Sequence, residues 1–397
     1  MFKILFIILD GLGDKPIKEF GNKTPLEKAK TPNLDYLVQN GICGLISPVF
    51  FGDFPTSKDA HLSLFGYDLK KWSIGRGVFE ALGIDMKLKK GDIALRGNFA
   101  TIDKEFVIID RRAGRISEPD SLIKRLNGII IDRVKFFLKK SVSHRFALIL
   151  RGKNLSEKIS DGDFHKSKIR APEIKPIDKT KSAEFTASIL NKFLIKTSEI
   201  LKEHPLNKER GEKGFLPANY LLVREAGKLK EIPSFKKKWQ RKSCCIAGGG
   251  LYKGIAKVLK MDLIKVKGAT GRADTDISGK LKAAKKAFKK YNFCYLHIKA
   301  TDNFSHDGDF LGKKKFIEKF DSFLPILFDL KNTIIVITAD HCTPCKVREH
   351  TKDPVPVLVY GNGKNGVQKF CEKNCKYGKL KLIKSIDFLK RLRVLAK

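Results

Sequence analysis

Apolar length is the first thing this sequence lacks. The run from Ile4 to Leu9 is too short to span a bilayer, and it ends in an acid and a glycine instead of a secretory cleavage pattern. A cytoplasmic protein with no membrane partner is expected. Acid is scarce as well: 43 Asp and Glu stand against 80 Lys and Arg, a formal net charge of +37. Such an excess suits a nucleic-acid binder, but no single tract or tail gathers it. The lysines are spread through segments such as KKKFIEKF and KLKAAKKAFKK, where helical spacing makes them solvated faces, so nucleic acid is not the expected partner and steering of anionic substrates is the better use. There is no fixed-period repeat and no low-complexity stretch. The glycine-rich GGGLYKG lacks the Walker pattern, which argues against a nucleotide site. The eight cysteines lack a secretory context, so free thiols or metal ligands are favoured over a disulfide framework.

What is present is a core. A chain of 397 residues, 42% of them hydrophobic and 10% aromatic, excludes disorder and is long enough for two or three domains. Lys3 to Asp10 (KILFIILD), Phe293 to Asp302 (FCYLHIKATD) and Asn332 to Asp340 (NTIIVITAD) read as continuously apolar strands of a parallel sheet covered on both faces. Val355 to Tyr360, with Pro356 inside it, suits a sheet edge or a strand start. Thr31 and Pro32 open a helix that Gly41 can close in a left-handed conformation. A further helix starts near Gly312 and ends or kinks at Pro325. Between about Asp85 and Gly227 the texture changes: shorter apolar runs (FVIID, FALIL) are mixed with the helix-like AEFTASILNKFLIKTSEILKE. The expected architecture is therefore α/β, a mainly parallel core sheet covered by helices from residues 1–84 and 228–397, with a smaller α+β domain, 85–227, inserted into it.

Each of the three strands ends in an acid, Asp10, Asp302 or Asp340, and in an open parallel sheet the carboxyl ends line the ligand crevice. His306 follows Asp302, His341 follows Asp340 at once, and His350 comes nine residues later. Mixed Asp and His ligands suit Mn²⁺, Zn²⁺ or Co²⁺, whereas Mg²⁺ prefers oxygen alone. Three Asp, three His and a hydroxyl suffice for two divalent ions sharing a phosphate, an arrangement that serves phosphoryl transfer. The segment GDFPTSKDAHLSLFGYD offers two such hydroxyls, Thr56 and Ser57. Arg112 and Arg115 (DRRAGR), Arg151 (LILRGKN), Arg224 (LLVREAG) and Lys253 (GGGLYKG) are the cations suited to an anionic substrate.

In order, DGLGD, TPLEKAKTPNLD, Ser57 before AHLSLFGYD, GRGVFEALG, NFATID, DRRAGRI, SDGDFH, GATG, SHDGDF and ADHCTP make residues 1 to 375 resemble the archaeal-type cofactor-independent phosphoglycerate mutases of the alkaline phosphatase superfamily. The resemblance implies an alkaline-phosphatase-like core, one ion on Asp302, His306 and His350, and another on Asp10, Asp340, His341 and the nucleophile Ser57. It further implies that 3- and 2-phosphoglycerate interconvert in glycolysis and gluconeogenesis through a phosphoserine, with no bisphosphoglycerate cofactor, while the inserted domain keeps water from the trapped glycerate. A metal-dependent phosphatase or phosphodiesterase of the same superfamily is the alternative, and a homo-oligomer is compatible with either. Four positions depart from the family pattern. Lys58 and Asp59 replace the Asp-Thr that usually follows the nucleophile, Val78 replaces a Pro, and Cys342 replaces a Ser. Cys342 and Cys345, with Cys371 and Cys375, offer four thiols in a spacing that matches no common zinc module.

Overall fold

The computed structural model describes residues 2–48, 54–364 and 366–395; Gly52 and Asp53 of the hydroxyl-bearing segment lie outside the described residues. Leu5 to Leu9 have no solvent exposure, as a strand with helices on both faces requires. The strand Lys3–Leu9 lies at the centre of an eight-stranded sheet. It pairs in parallel with Phe293–Ile298 on one side and Thr333–Thr338 on the other, Ile7 lying opposite both Leu296 and Ile337. This common register brings the carboxyl ends of three strands to one edge.

The structure corrects the sequence reading at Asp302, at the expected sheet edge and at Gly41, and bears it out for the strand start at Pro356 and the helix near Gly312. Asp302 does not end a strand: Phe293–Ile298 stops four residues earlier, and Asp302 lies in the first turn of the helix Ala300–Asp307, where the helix dipole favours a carboxylate. Val355–Tyr360 is not an edge strand. It is antiparallel to both of its neighbours, Thr333–Thr338 and Gly41–Ser47, with Pro356 at its second residue. The helix Pro32–Gln39 closes at Asn40, and Gly41 begins the next strand; the glycine is required there because a Cβ would come within 2.6 Å of the Val359 carbonyl oxygen. The later helix spans Phe310–Phe323 and is capped by Asp309, which accepts the Gly312 N–H, while Pro325 opens a short 3₁₀ turn after it.

By its contacts the chain falls into two compact units, Met1–Trp72 with Ile232–Lys397, and Ser73–Glu231. The second unit includes the helix Arg76–Gly83, which the sequence reading left with the core, because this helix packs on the strands Ile93–Ile102 and Tyr220–Lys228. A Cβ on Gly77 would lie 2.2 Å from the Ala94 carbonyl oxygen, so the approach is as close as backbones allow. The unit's sheet is antiparallel. Its long helix, Lys181–Lys202, starts at Thr180, whose side chain accepts the Ala183 N–H. Ala187, Leu190, Phe193 and Leu194 form the stripe that it buries. Phe193 stacks on Phe136 with ring centroids 4.0 Å apart. Burying one such ring contributes roughly 1.5–3 kcal/mol.

Candidate metal centre

At the carboxyl edge of the core sheet, Asp10, Asp340 and His341 bring one ligand atom each within 4.8 Å of one another, and so do Asp302, His341 and His350. His306 stands beside the second group, its Nε2 3.3 Å from Asp302 Oδ2. Every imidazole is oriented in the same way. Nδ1 of His341 bonds the Thr343 hydroxyl at 2.9 Å, Nδ1 of His350 the Pro55 carbonyl at 2.8 Å, and Nδ1 of His306 the Arg348 carbonyl at 2.7 Å. Nε2 is thereby left facing the carboxylates in all three, the arrangement that fixes a metal-binding tautomer.

The hydroxyl joins from a helix. Ser57 is the first residue of Ser57–Leu64, and its Oγ lies 3.1 Å from His341 Nε2. Thr56 is the N-cap: it accepts the Asp59 N–H and donates to Asp59 Oδ2 at 2.6 Å, a reciprocal capping pair. Lys58 holds the other carboxylate oxygen at 3.0 Å. Asp59 is thus engaged in closing the helix start.

Four further side chains reach the centre, and the sequence reading did not single them out. Lys299 places its ammonium 3.0 Å from Asp10 Oδ1 and 2.6 Å from Asp302 Oδ2. His297 Nε2 meets Asp10 Oδ2 at 2.9 Å, and the Tyr252 hydroxyl donates to the same oxygen. His61, one turn after Ser57, bonds the Ser57 carbonyl through Nδ1 at 2.7 Å. Burial pushes His61 down and His297 down to about 4, so both are neutral. Burial alone would raise Asp302, but Lys299, His306 and His350 hold it well below the usual carboxylate range. Tyr252 had a signal in sequence, since it stands next to Lys253 in GGGLYKG. His61 had one as well, since it stands in the AHLSLFGYD motif after Ser57, whereas His297 had none, because it lies inside a buried strand.

The donor set fits divalent cations. Three carboxylates and His341, all buried, converge with the half-buried His350, the exposed His306 stands beside them, and Asp340 Oδ2 is buried without a hydrogen-bond partner. The cysteines do not contribute. None of the eight forms a disulfide and all are buried, and burial pushes both Cys342 and Cys345 up to about 12. No cysteine enters a metal-compatible group among the described residues, which removes the four-thiol zinc reading.

The expected substrate cations separate. Lys253 is half-buried on the helix Gly250–Val258, next to Tyr252. In the second unit, Arg112 and Arg115 flank a turn in which Ala113, Gly114 and Arg115 all take positive φ, a strained presentation of two cationic side chains. Arg224 is buried and pairs with Asp163, which Arg111 also grips through two 2.8 Å bonds. Arg151 is engaged elsewhere: it binds Asp92 with Nε and Nη2, donates to the Lys87 carbonyl, and lies over the Phe137 ring. Its guanidinium therefore braces the end of its own strand, and the structure gives it no free fork for a substrate.

Residues 2–390 match the family described as Metalloenzyme superfamily. The chain is 44% identical over 397 residues to the 2,3-bisphosphoglycerate-independent phosphoglycerate mutase 1 of Methanocaldococcus jannaschii, with 98% of this chain and 96% of that protein covered. It is 43% identical over 395 residues to the enzyme of that name from Archaeoglobus fulgidus, with 97% and 96% covered. Among solved structures, the cofactor-independent phosphoglycerate mutase from Thermoplasma acidophilum matches with a TM-score of 0.72 at 36% identity, covering all of both chains. The PH0037 protein from Pyrococcus horikoshii matches with a TM-score of 0.85 at 35% identity, covering 100% of this chain and 97% of that one.

Proposed function

The chain belongs to the metalloenzyme superfamily and, within it, to the 2,3-bisphosphoglycerate-independent phosphoglycerate mutases, and from that premise we propose that Ser57 exchanges a phosphoryl group between the 3- and 2-hydroxyls of glycerate at a two-ion centre. The observation that carries this reading is the position of the Ser57 hydroxyl, at a helix N-terminus and 3.1 Å from a histidine shared by both ligand groups. Asp10, Asp340, His341 and Ser57 would hold one divalent ion, and Asp302, His306 and His350 the other. Mn²⁺, Zn²⁺, Co²⁺ and Mg²⁺ are the ions to test. The ions would lower the pKa of the Ser57 hydroxyl and neutralise the phosphoryl oxygens.

Charge supports the assignment. Three carboxylates carry three negative charges, and the Lys299 ammonium offsets one. Two divalent cations then leave the centre with two positive charges, matched to a phosphoryl dianion. Ser57 Oγ attacks phosphorus in line, and the bond from phosphorus to the glycerate 3-oxygen breaks. The resulting phosphoserine sits at the positive end of Ser57–Leu64, where a helix favours an anion. Glycerate re-orients, its 2-hydroxyl attacks the same phosphorus, and Ser57 is released. Between the two transfers water must be excluded, or the outcome is hydrolysis. Lys253, next to Tyr252, and independently Arg112, Arg115 and Arg224 are the cations whose chemistry suits the anionic groups of the substrate. A reaction on soluble three-carbon acids agrees with a cytoplasmic protein, and among the described residues no helix is long and apolar enough to cross a membrane.

The test is an enolase-coupled assay from 3-phosphoglycerate without 2,3-bisphosphoglycerate, after EDTA treatment and with Mn²⁺ restored. Turnover that requires the ion supports the reading. Turnover that survives exhaustive metal removal or needs the bisphosphate contradicts it, and release of phosphate without 2-phosphoglycerate would make the protein a phosphatase.

A further inference from the structure

Thr343 follows His341 by two residues in ADHCTP and has no part in the chemistry so far. Its side chain is fully buried, and its hydroxyl lies 2.9 Å from His341 Nδ1 and 3.1 Å from Asp302 Oδ1. A hydroxyl has one proton to give, and a carboxylate can only accept. The proton therefore goes to Asp302, and the hydroxyl oxygen accepts the Nδ1–H of His341. The chain runs in one direction, from His341 through Thr343 to Asp302. At one end it leaves the Nε2 lone pair of His341 aimed at Asp10, Asp340 and Ser57. At the other it orients a carboxylate whose Oδ1 also lies 3.6 Å from His350 Nε2.

The surroundings hold this hydroxyl in place. A Cβ on Gly11, which has φ +61°, would come within 2.7 Å of Thr343 Oγ1 and 2.8 Å of Asp302 Oδ1, so the DGLGD turn leaves the bridge its space only by having no side chain there. The Thr343 N–H donates to the Gly13 carbonyl at 3.0 Å. Its own carbonyl accepts from the buried Lys313 ammonium at 3.2 Å, which also bonds Asp14 Oδ2 at 2.8 Å and the Gly13 carbonyl at 3.2 Å. The loops after the strands Lys3–Leu9 and Thr333–Thr338 are thus pinned to each other around one oxygen.

We propose that Thr343 is a positioning residue shared by the two ion sites and that it couples them, so that filling one raises the affinity of the other. The inference rests on the ligand assignment of the preceding subsection. An ion that orders His341 also orders the hydroxyl and, through it, the Asp302 carboxylate; the second ion then finds its ligand already set and loses less freedom on binding. Tyr252 provides the contrast, because its hydroxyl bonds Asp10 alone and so touches one site only.

The experiment is a stepwise Mn²⁺ titration of the chelator-treated full chain, read by the electron paramagnetic resonance of the free ion and by calorimetry. Wild type should bind two ions, the second step tighter than independent sites allow. Thr343→Val, which keeps the shape and removes the hydroxyl, should weaken both steps by about 10–100-fold and abolish the coupling, whereas Thr343→Ser should stay within about threefold of wild type. Tyr252→Phe should weaken one step only. Two independent steps in wild type, or a Thr343→Val protein that loses affinity at one step or at neither, would overturn the proposal, and the wild-type titration decides the coupling even if the valine variant does not fold. A wild type that binds fewer than two ions would instead overturn the ligand assignment.

Discussion

His341 Nε2 and Ser57 Oγ stand 3.1 Å apart across 284 residues of sequence. One belongs to the turn after a central strand and the other to the first turn of a helix, and neither element makes a site alone. The common register of three parallel strands fixes where the histidine and the aspartates emerge. The Thr56–Asp59 cap fixes where the hydroxyl helix begins.

That cap separates two neighbouring hydroxyls by role. Ser57→Ala should reduce turnover by at least about a thousandfold with the fold intact, since the residue that forms and breaks the bond to phosphorus is removed. Thr56→Ala should cost about 1 kcal/mol of stability through the lost cap and leave kcat within a few-fold. Steady-state kinetics with thermal unfolding of both variants checks the pair, and a greater loss of turnover in the Thr56 variant would reverse the assignment.

Arg115 and Arg151 should diverge. Charge-assisted contacts to substrate are worth on the order of 1.5–3 kcal/mol, so Arg115→Ala should raise KM and increase the phosphate released per 2-phosphoglycerate formed by roughly tenfold to a hundredfold. Arg151→Ala should leave KM unchanged and destabilise the fold by about 1–2 kcal/mol, because it strands the buried Asp92 carboxylate. The ratio of the two products, with denaturant unfolding, distinguishes them. An Arg115 variant with unchanged KM and unchanged ratio would make that arginine a solvated surface charge.

Stability should carry the signature of one carboxyl away from the centre. Burial raises Glu372 from 4.5 to about 7, while its oxygens accept from the Thr24 hydroxyl at 2.7 Å and the Asp14 N–H at 3.1 Å. The folded chain thus holds this proton more tightly than the unfolded chain does. The associated stability is fully present below about pH 4.5 and is lost as pH rises through about 7. Glu372→Gln mimics the protonated form, so it should match wild type near pH 4.5 and exceed it above pH 8, by on the order of 1–3 kcal/mol. Urea unfolding across this range tests the sign, and a gap that narrows with rising pH would refute it.

The strands of the core could be read because their residues are apolar without alternation, which only burial on both faces explains, and the acids stood out as the first charges after such runs. The same logic misplaced Asp302, since Lys299 alone separates the strand from a helix whose start carries no side-chain cap. His297 was invisible because a histidine within FCYLHI reads as core, and only the Asp10 oxygen from the neighbouring strand gives it a task. The Arg151 pairing is hidden for the converse reason: its partner Asp92 is 59 residues away, and the pairing of antiparallel strands that joins them leaves no local pattern.

The central claim is that Ser57 carries the phosphoryl group between the two hydroxyls of glycerate. Its most direct test is to quench the Mn²⁺-loaded enzyme in acid during turnover of 3-phosphoglycerate labelled in its phosphoryl group, digest it, and locate the label by peptide mass spectrometry. The account predicts phosphate on Ser57 that disappears in Ser57→Ala and is chased by unlabelled substrate into 2-phosphoglycerate. Label on Thr56, or full turnover with no phosphoprotein at any quench time, would contradict it.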